Sequence, residues 1–300
     1  MATVDIIIPA FNAARYLPAA IESVISQTFD DWQILLVDDG STDNTQEIVN
    51  SFLDRLGPKI KYIKQENRGV SAARNTAILA SKAEFLALLD ADDMWMPCRL
   101  SESLKVLVER PQAGLCYGLI TSIDPDGRLG NSWEGNLSNA AGHIAPQIYL
   151  RAVELPSPTI TIRRICIDEV GIFDESLRVT EDRDLWLRIA LRYEVAFVPK
   201  VLALYRMSPS SLTTDPKRML EAQLKFIHKH YGAEGCGLRS RQAALARSYK
   251  QQAENLKMRG RAWAALRSSL RAVALYPLSA SNFRTAGSLL LNWIGSFAHG

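Results

Sequence analysis

The sequence predicts an α/β fold, in which helices flank a mainly parallel sheet, followed by a C-terminal helical extension. Three observations support this prediction. In the first 90 residues, apolar runs suited to buried strands alternate with helical patterns. Strands that are apolar on both faces and alternate with helices are typical of parallel sheets covered by helices. From about residue 215 the pattern is helical to the end, and the acidic and basic residues are unevenly divided along the chain.

Apolar periodicity places the first four strands and their helices. Ligands of such sheets bind beyond the carboxyl ends of the strands, which here carry residues 9–12, 38–40 and 90–93. Asn12 is expected to cap the first helix, and Thr42 or Asp43 the second. Pro9 is expected to end the first strand. The strand runs are 4–8, 34–37, 61–63 and 85–89, and the helical stripes are 17–25, about 43–52 and 70–79.

The rest of the chain divides into a loop-rich part and a basic part. Residues 111–160 predict short strands and a mobile loop, and a helix over 182–192 precedes strands at 195–198 and 202–204. Residues 1–210 carry 21 Lys and Arg against 28 Asp and Glu, whereas residues 211–300 carry 14 against 4. We therefore expect two domains, 1–210 and 211–300, the second suited to an anionic partner.

Composition and motif content exclude several classes of protein. A hydrophobic fraction of 47% and a charged fraction of 22% exclude a disordered or fibrous chain. No apolar run approaches the ~20 residues of a membrane-spanning helix, and the first residues are not expected to form a secretory signal. The absence of P-loop and Gly-x-Gly-x-x-Gly motifs argues against P-loop and dinucleotide-binding enzymes. Free thiols in a reducing compartment are expected for Cys98, Cys116, Cys166 and Cys236.

The strongest chemical signal is a cluster of acids directly after the fourth strand. Asp90, Asp92 and Asp93 follow the apolar run 85–89. Crowded carboxylates are unfavourable unless a cation or turn dipoles compensate. An Asp-x-Asp at a strand end can hold Mg²⁺ or Mn²⁺, which often share their oxygen ligands with substrate phosphates. The alternative is an acidic turn whose side chains cap backbone N–H groups.

Two further motifs lie at strand ends or helix starts. Residues 37–43 follow a strand, and a carboxylate there can accept hydrogen bonds from a nucleobase or ribose; a capped strand-to-helix turn is the alternative. Residues 67–75 place Gly69 at a helix N-terminus, where a ligand can approach closely. Arg68 or Arg74 can then face a phosphate.

A fourth motif places acids and an aromatic residue at a later helix start. Glu181 and Asp182 precede the predicted helix, where the helix dipole favours negative charge, and Asp184 follows them. Trp186 can form part of a surface on which a sugar stacks, or it can belong to the core. Upstream, residues 170–175 form a predicted tight turn that presents Phe173.

In this order, the motifs resemble those of the inverting family 2 glycosyltransferases, which have the GT-A nucleotide-diphospho-sugar transferase fold. The resemblance covers about residues 3–210 and does not extend to the basic region. Where the family often has Tyr-Arg-x-His, this chain has Tyr205-Arg206-Met207-Ser208. The matching segments are Ile-Ile-Pro-Ala-Phe-Asn, Val-Asp-Asp-Gly-Ser-Thr-Asp, Gly-Val-Ser-Ala-Ala-Arg-Asn, Leu-Asp-Ala-Asp-Asp, Val-Gly-Ile-Phe-Asp-Glu and Glu-Asp-Arg-Asp-Leu-Trp.

The resemblance implies transfer of a sugar, with inversion, from a nucleotide-diphospho-sugar to an acceptor hydroxyl. A UDP-sugar is the favoured donor, in the synthesis of polysaccharide, glycolipid or another cell-surface glycan. The leaving diphosphate needs Mn²⁺ or Mg²⁺, assigned to Asp92 with Asp90 or Asp93. The attacking hydroxyl needs a general base, assigned to Asp182, with Glu181 and Asp184 as alternatives. Asp39 is assigned to the nucleobase and Asp90 to the ribose. The remaining assignments are Pro9, Phe11, Asn12, Arg68 and Arg74 to the nucleotide pocket, and Trp186 and Phe173 to the acceptor side.

Two other functional classes are compatible with the fold. A sugar-1-phosphate nucleotidyltransferase would need a Gly-rich loop with Arg after the first strand, which residues 10–13 lack. A non-catalytic nucleotide-sugar binding scaffold would not need the acids at Asp92 and Asp182, so their presence argues against it.

The basic extension indicates the partners of the chain. Its positive charge and the apolar stretch 289–297 suit the surface of an anionic membrane. The family resemblance implies a nucleotide-sugar and a glycan or lipid-linked acceptor as partners, and together with the basic extension it leads us to expect a cytoplasmic protein that is peripheral on the inner face of the membrane. Packing of these residues on the catalytic domain or on a second subunit is the alternative, and nucleic acid is not expected. Residues 246–279 loosely match one tetratricopeptide-type helix pair, but an ordinary helical extension is preferred.

Overall fold

The computed structural model describes residues 2–130, 140–207, 215–277 and 279–297, with backbone alone for 291–297. The chain divides into two compact units. The first comprises residues 1–144 and 153–208, and the second comprises 145–152 and 209–300. The domain boundary predicted at residue 210 lies outside the described residues, as does Ser208.

The first unit is built on an eight-stranded sheet with the order β3-β2-β1-β4-β7-β6-β8-β5. The strands β1 to β4 pair in parallel, and β6 pairs in parallel with β8. The antiparallel pairs are β4 with β7, β6 with β7 and β5 with β8. The mainly parallel sheet that the sequence predicts is therefore confirmed. The strands are β1 (Val4–Ala10), β2 (Trp32–Asp38), β3 (Ile60–Lys64), β4 (Phe85–Leu88), β5 (Met94–Trp95), β6 (Ala113–Ile123), β7 (Thr161–Arg163) and β8 (Glu194–Arg206).

Helices cover this sheet. The first unit contains α1 (Leu17–Ile25), α2 (Thr45–Leu56), α3 (Val70–Ala80), α4 (Arg99–Glu109), α6 (Arg164–Val170) and α7 (Glu181–Ala190). The main apolar core joins β1, β2 and β4 to α1, α2 and α4. α3 packs against β1 and β2. The core follows the strand alternation, since Val4, Ile6 and Ile8 of β1 all belong to it and are fully buried.

The sequence misplaced two features at the start of the chain. β1 runs through Pro9 to Ala10. Its pairing with β4 ends at Ile7, so no ladder hydrogen bond from β4 is lost at the proline. Asn12 does not cap α1, which begins after Tyr16. Instead its backbone has a φ of 50°, and its side-chain oxygen accepts a hydrogen bond from the Thr42 backbone N–H at 2.8 Å.

Two other elements differ from the prediction. The two strands expected at 195–198 and 202–204 form one strand, β8, because a bulge absorbs the exposed Pro199 and Lys200 and the pairing with β6 resumes beyond them. α4 was not predicted, although Leu100, Leu104 and Leu107 form a buried stripe at helical spacing.

The second unit is helical. It contains α5 (Ala145–Tyr149), α8 (Pro216–Lys229), α9 (Leu238–Met258), α10 (Ala262–Leu275) and α11 (Ala280–Phe297). Asp215 caps α8 by accepting a hydrogen bond from the Lys217 backbone N–H. α9, α10 and α11 share a small core of Ala253, Leu256, Ala265, Leu266 and Leu289. The predicted helical extension is confirmed, and no helix among its described residues is long and apolar enough to cross a membrane.

Candidate active site

The loops after β1 and β2 meet because parallel strands end at the same edge of the sheet. Ala10 pairs with Asp38, and the Asp39 backbone N–H donates to the Ala10 carbonyl at 2.8 Å. The buried Asp38 carboxylate accepts hydrogen bonds from the Ser41 backbone N–H and the Tyr62 hydroxyl, each at 2.8 Å. Asp38 therefore has a structural role, whereas the next residue, Asp39, contacts the loop before α3.

Asp39 organises the loop that leads into α3. One carboxylate oxygen accepts hydrogen bonds from the Gln65 amide at 2.7 Å and the Arg68 backbone N–H at 2.9 Å, and the other accepts from the Gly69 backbone N–H at 2.7 Å. Gly69 has a φ of 94° and open space where a Cβ would stand, a conformation that favours glycine. Both oxygens of Asp39 are therefore engaged within the protein, and its contact with a nucleobase stays a prediction.

Asp90 lies beyond β4 and is held by a buried arginine. The Arg74 side chain, 5% exposed, places Nη2 2.6 Å from Asp90 Oδ1 and Nη1 3.7 Å from Glu181 Oε1. The Arg74 guanidinium also lies 5.4 Å from the centre of the Phe173 ring. Arg74 thus connects the strand-end acid Asp90 to the first residue of α7.

The other two acids of the β4 turn differ in environment. Asp93 is buried, and one of its oxygens accepts a hydrogen bond from the Arg206 backbone N–H at 2.8 Å. Burial and the neighbouring Asp92 raise the pKa of Asp93 well above its usual value. Burial and the charge of Asp90 raise the pKa of Asp92 to about 6. Within the described ranges, no side chain forms a hydrogen bond or ion pair with the Asp92 carboxylate.

The start of α7 brings two carboxylates close to Arg74. Glu181 is 8% exposed. Burial, and to a smaller extent the charge of Asp182, raise the pKa of Glu181 to about 7, although Arg74 acts in the opposite direction. Burial also raises the pKa of Asp182, whose carboxylate accepts a hydrogen bond from the Arg183 backbone N–H at 2.6 Å. A carboxylate with a raised pKa is a suitable general base near neutral pH.

The third acid of this turn has a different setting. Asp184 is fully buried and lies 2.9 Å from Nε of Arg188. Arg188 in turn donates hydrogen bonds to the carbonyls of Val170, Gly171 and Ile172. Asp184 therefore serves to hold the 170–172 turn against α7, whereas the general-base role predicted for Asp182 or Glu181 stays a prediction.

Phe173 and Trp186 form part of the packing behind the site. They are 3% and 2% exposed, and their rings meet edge to face with centres 6.0 Å apart. Asn75 fixes Phe173 by hydrogen bonds in both directions with its backbone, at 3.0 and 2.9 Å. In this structure neither aromatic ring offers a surface to an acceptor, although the sequence placed both on the acceptor side.

The residues assigned to the nucleotide pocket occupy different positions around the same edge. Pro9 is partly buried in β1, whereas Phe11 is 52% exposed. Asn12 is tied to Thr42, as described above. Arg68 is exposed and forms an ion pair with Glu175 at 2.9 Å. The exposed members, Phe11 and Arg68, are therefore the ones available to a ligand, and Arg74 is not.

Sequence reasoning missed two residues that shape the site. Arg206, at the end of β8, donates a hydrogen bond from Nε to the Asp92 carbonyl at 2.8 Å and lies 4.4 Å from the centre of the Tyr16 ring. The sequence signal that could have found Arg206 is its place in the pair Tyr205-Arg206, where the family often has Tyr-Arg-x-His. Gln65, which binds Asp39, carries no sequence signal, because only the fold brings it to that carboxylate.

A metal ion at this edge would depend on ligands from the substrate. No group of three or more His, Cys, Asp or Glu that could hold a metal is found in the described part of the chain. Asp92 and Asp90 nevertheless fit a Mg²⁺ or Mn²⁺ ion that keeps several waters and shares the phosphates of a substrate, since no other side chain that the structure describes engages the Asp92 carboxylate.

Comparison with known proteins now identifies the family. Residues 5–164 match the family model "Glycosyl transferase family 2". The chain belongs to glycosyltransferase family 2. The predicted transferase activity is thereby confirmed at the level of this class.

Individual relatives agree with the family assignment. An uncharacterised glycosyltransferase of Rickettsia typhi is 31% identical over 229 residues, which are 73% of this chain and 68% of that protein. The Escherichia coli enzyme WfgD, a UDP-Glc:α-D-GlcNAc-diphosphoundecaprenol β-1,3-glucosyltransferase, is 28% identical over 73% of this chain and 83% of its own length.

Solved structures share the fold. S. aureus TarS (residues 1–349), in complex with UDP-GlcNAc, has a TM-score of 0.68 with 17% identity over 98% of this chain and 92% of that one. The mannosyltransferase PcManGT of Pyrobaculum calidifontis, in complex with GDP-Man and Mn²⁺, has a TM-score of 0.66 with 17% identity over 96% and 80%. At this identity the likeness shows the fold alone, and it confirms the predicted GT-A-like architecture.

Proposed function

We propose that this family 2 glycosyltransferase transfers a sugar from a UDP-sugar to an acceptor hydroxyl with inversion, in the synthesis of a polysaccharide or other cell-surface glycan. The observation that carries the proposal is the connection through Arg74 of Asp90, at the end of β4, to Glu181, at the start of α7, at 2.6 and 3.7 Å. Acids suited to a donor and acids suited to an acceptor thus lie at one edge of the sheet.

The donor side consists of the strand-end loops. Asp39 and Gly69 shape the loop before α3, and Phe11 and Arg68 are exposed beside it. A uridine diphosphate is favoured because the E. coli relative is named for UDP-Glc and TarS holds UDP-GlcNAc. The neighbour that holds GDP-Man makes a guanosine carrier the alternative to be compared.

Asp92, with Asp90, would hold the divalent cation. Mn²⁺ or Mg²⁺ bound there would stabilise the charge that develops on the leaving diphosphate. Asp93 supports this turn from below, since its buried carboxylate is anchored to the Arg206 backbone N–H. The Mn²⁺ in the PcManGT complex supports the choice of metal.

Asp182 would take the proton of the attacking hydroxyl, and Glu181 is the neighbouring alternative. Both carboxylates have pKa values raised by burial, which brings proton affinity closer to that needed at neutral pH. Direct attack by an activated hydroxyl on the sugar, with departure of the nucleotide on the opposite face, inverts the anomeric centre.

A membrane surface would bring the acceptor to the enzyme. In the second unit, exposed apolar side chains lie beside exposed arginines on two helices that pack together. On α10, Trp263 and Leu270 flank Arg267, and on α11 Phe283 is next to Arg284. Aromatic and basic side chains in this arrangement suit an anionic lipid surface, which supports a cytoplasmic enzyme, peripheral on the inner face, that acts on a lipid-linked acceptor.

A ligand screen tests the donor assignment. The full chain is heated with UDP, GDP, dTDP and the corresponding sugars, with and without Mn²⁺. The proposal predicts that a uridine nucleotide gives the largest stabilisation and that Mn²⁺ increases it, because ligands that bind only the folded state raise its stability. Stabilisation by none of these nucleotides would contradict a nucleotide-sugar transferase.

A further inference from the structure

Arg74 is buried in the site, where its side chain has almost no contact with bulk solvent. It lies in the first half of α3, between the end of β4 and the start of α7, and its side chain is 5% exposed. Its guanidinium is flanked on one face by the Phe173 ring at 5.4 Å. Asn75, the next residue, fixes the Phe173 backbone. The position of the Arg74 side chain is therefore restricted by packing.

Hydrogen bonding between Arg74 and Glu181 is incomplete. Among the described residues, no group forms a hydrogen bond with the buried Nε and Nη1 of Arg74 or with Oε2 of Glu181. Nη1 and Glu181 Oε1 are 3.7 Å apart, which is ion-pair distance but too long for a hydrogen bond. Buried polar groups left unpaired are unfavourable, so Arg74 and Glu181 are held together by charge attraction without a completed hydrogen bond.

We infer that Arg74 is a positioning residue, which shares its guanidinium between Asp90 and Glu181 and so aligns the donor-side and acceptor-side acids of the site. The inference rests on the proposed function for the roles of those acids. It replaces the sequence-based expectation that Arg74 faces a phosphate, because the buried guanidinium already serves two carboxylates.

Arginine is needed at this position because its planar guanidinium group can contact two carboxylates at once. Nη2 is committed to Asp90 at 2.6 Å while Nη1 points towards Glu181. Lysine would keep the positive charge but offers a single ammonium group in place of the fork. Glutamine would remove the charge and leave two carboxylates without their counter-charge.

The electrostatic effect of Arg74 does not depend on whether Glu181 or Asp182 is the general base. Arg74 lowers the pKa of both Glu181 and Asp182, against the larger effect of burial. An opposite charge at this distance is worth about 1–3 pH units. The other charged and titratable groups that act on these two acids, or are acted on by them, are Asp90, Arg183, Glu154 and Tyr205.

The test compares Arg74→Gln and Arg74→Lys in the full chain by two readouts. The first is a carboxyl ¹³C NMR titration, in which the Glu181 resonance is assigned by its loss in Glu181→Gln. We expect the titration midpoint of Glu181 to rise by about one pH unit or more in Arg74→Gln. In Arg74→Lys the midpoint should change less, because the positive charge is kept. Arg74→Lys also provides the test if Arg74→Gln folds poorly. An unmoved midpoint in both variants would overturn the inference.

The second readout is donor hydrolysis as a function of pH. In Arg74→Gln we expect the acid limb of the rate profile to move to higher pH, and in both variants the maximum rate to fall by about 10-fold or more, because misplaced groups lose effective orientation. The control is Arg163→Lys, a partly buried arginine that lies over Phe85 and donates to the Leu107 and Ala113 carbonyls. It should lower thermal stability without moving the profile.

The two readouts separate the inference from the proposed function. If wild-type protein turned over no nucleotide-sugar, the proposed function would fail, whereas the NMR titration would still decide the place of Arg74. If wild type were active and the Arg74 variants kept its profile and rate, Arg74 would be a structural residue only.

Discussion

Replacing Glu181 by glutamine should stabilise the protein, and the gain should depend on pH. Glu181 is 8% exposed, and burial together with the charge of Asp182 raises its pKa from 4.5 to about 7. The folded state therefore binds the Glu181 proton more tightly than the unfolded state does. The stability this provides is fully present below about pH 4.5 and is lost as the pH rises to about 7.

The expected gain in folding free energy follows from the rise in the pKa of Glu181. A tenfold change in proton affinity corresponds to about 1.4 kcal/mol, so a rise from 4.5 to about 7 costs about 3 kcal/mol of folding free energy above neutral pH. Glutamine has the shape of the protonated acid and never acquires the charge. Glu181→Gln should therefore exceed wild type by less than about 1 kcal/mol near pH 5 and by about 3 kcal/mol at pH 8.

Thermal unfolding between pH 5 and pH 8.5 measures this difference. For a unit of 150–250 residues, 1 kcal/mol moves the midpoint by about 2–4 °C, so the variant should melt several degrees above wild type at pH 8. Glu84→Gln is the matched control, because the Glu84 side chain is 67% exposed. A gain that is constant across pH, or a loss at pH 8, would refute the assignment of a raised pKa to Glu181.

Three further outcomes are expected. Asp92→Ala should abolish the Mn²⁺-dependent part of the stabilisation by UDP, because this carboxylate is engaged by no other side chain in the described part of the chain and is assigned to the metal. Asp182→Asn should lower kcat by about 10²–10⁴ with donor binding near wild type, because the amide cannot accept the acceptor proton. The double charge reversal Arg267→Glu/Arg284→Glu should weaken co-sedimentation with anionic vesicles at low salt, because both arginines lie beside exposed apolar side chains.

Each of these outcomes has a control within the chain. For the metal, an unchanged Mn²⁺ effect in Asp92→Ala would remove this residue from the site. For the base, a larger loss in Glu181→Gln than in Asp182→Asn would move the role to the neighbouring acid. For the membrane, the reversal of Lys105 and Arg110, which are exposed on α4 and just beyond it, should leave vesicle binding nearly intact. Equal loss by both double variants would indicate an effect of net charge alone.

The sequence predicted the elements of the first unit that have regular patterns. The strands at β1 to β4 and the helices α1 to α3 and α7 lie where apolar periodicity places them, because each buries a face that its own residues define. The limits of β8 were not predictable in this way, since Pro199 reads as a strand end and only the pairing with β6 shows that the strand continues beyond it. Asn12 failed as a cap because its side chain has a partner 30 residues away, at Thr42.

The sequence singled out the residue types at this edge of the sheet, whereas their roles in binding and catalysis stay predictions. Motif order brought Asp39, Asp90, Arg74 and Glu181 to attention, and the structure does gather them at one edge of the sheet. Roles depend on burial and partners, which a sequence does not contain. Arg74 reads as a phosphate ligand until its burial between two acids is seen.

The stereochemistry of donor hydrolysis tests the central claim most directly. The full chain is incubated with an α-linked UDP-sugar and Mn²⁺ in the NMR tube, and the anomer of the released sugar is followed before mutarotation. The account predicts that the β-anomer forms first, that its appearance matches the release of UDP, and that both are lost in Asp92→Ala and slowed in Asp182→Asn. First appearance of the α-anomer, or equal release by wild type and Asp92→Ala, would contradict an inverting, metal-assisted transferase at this site.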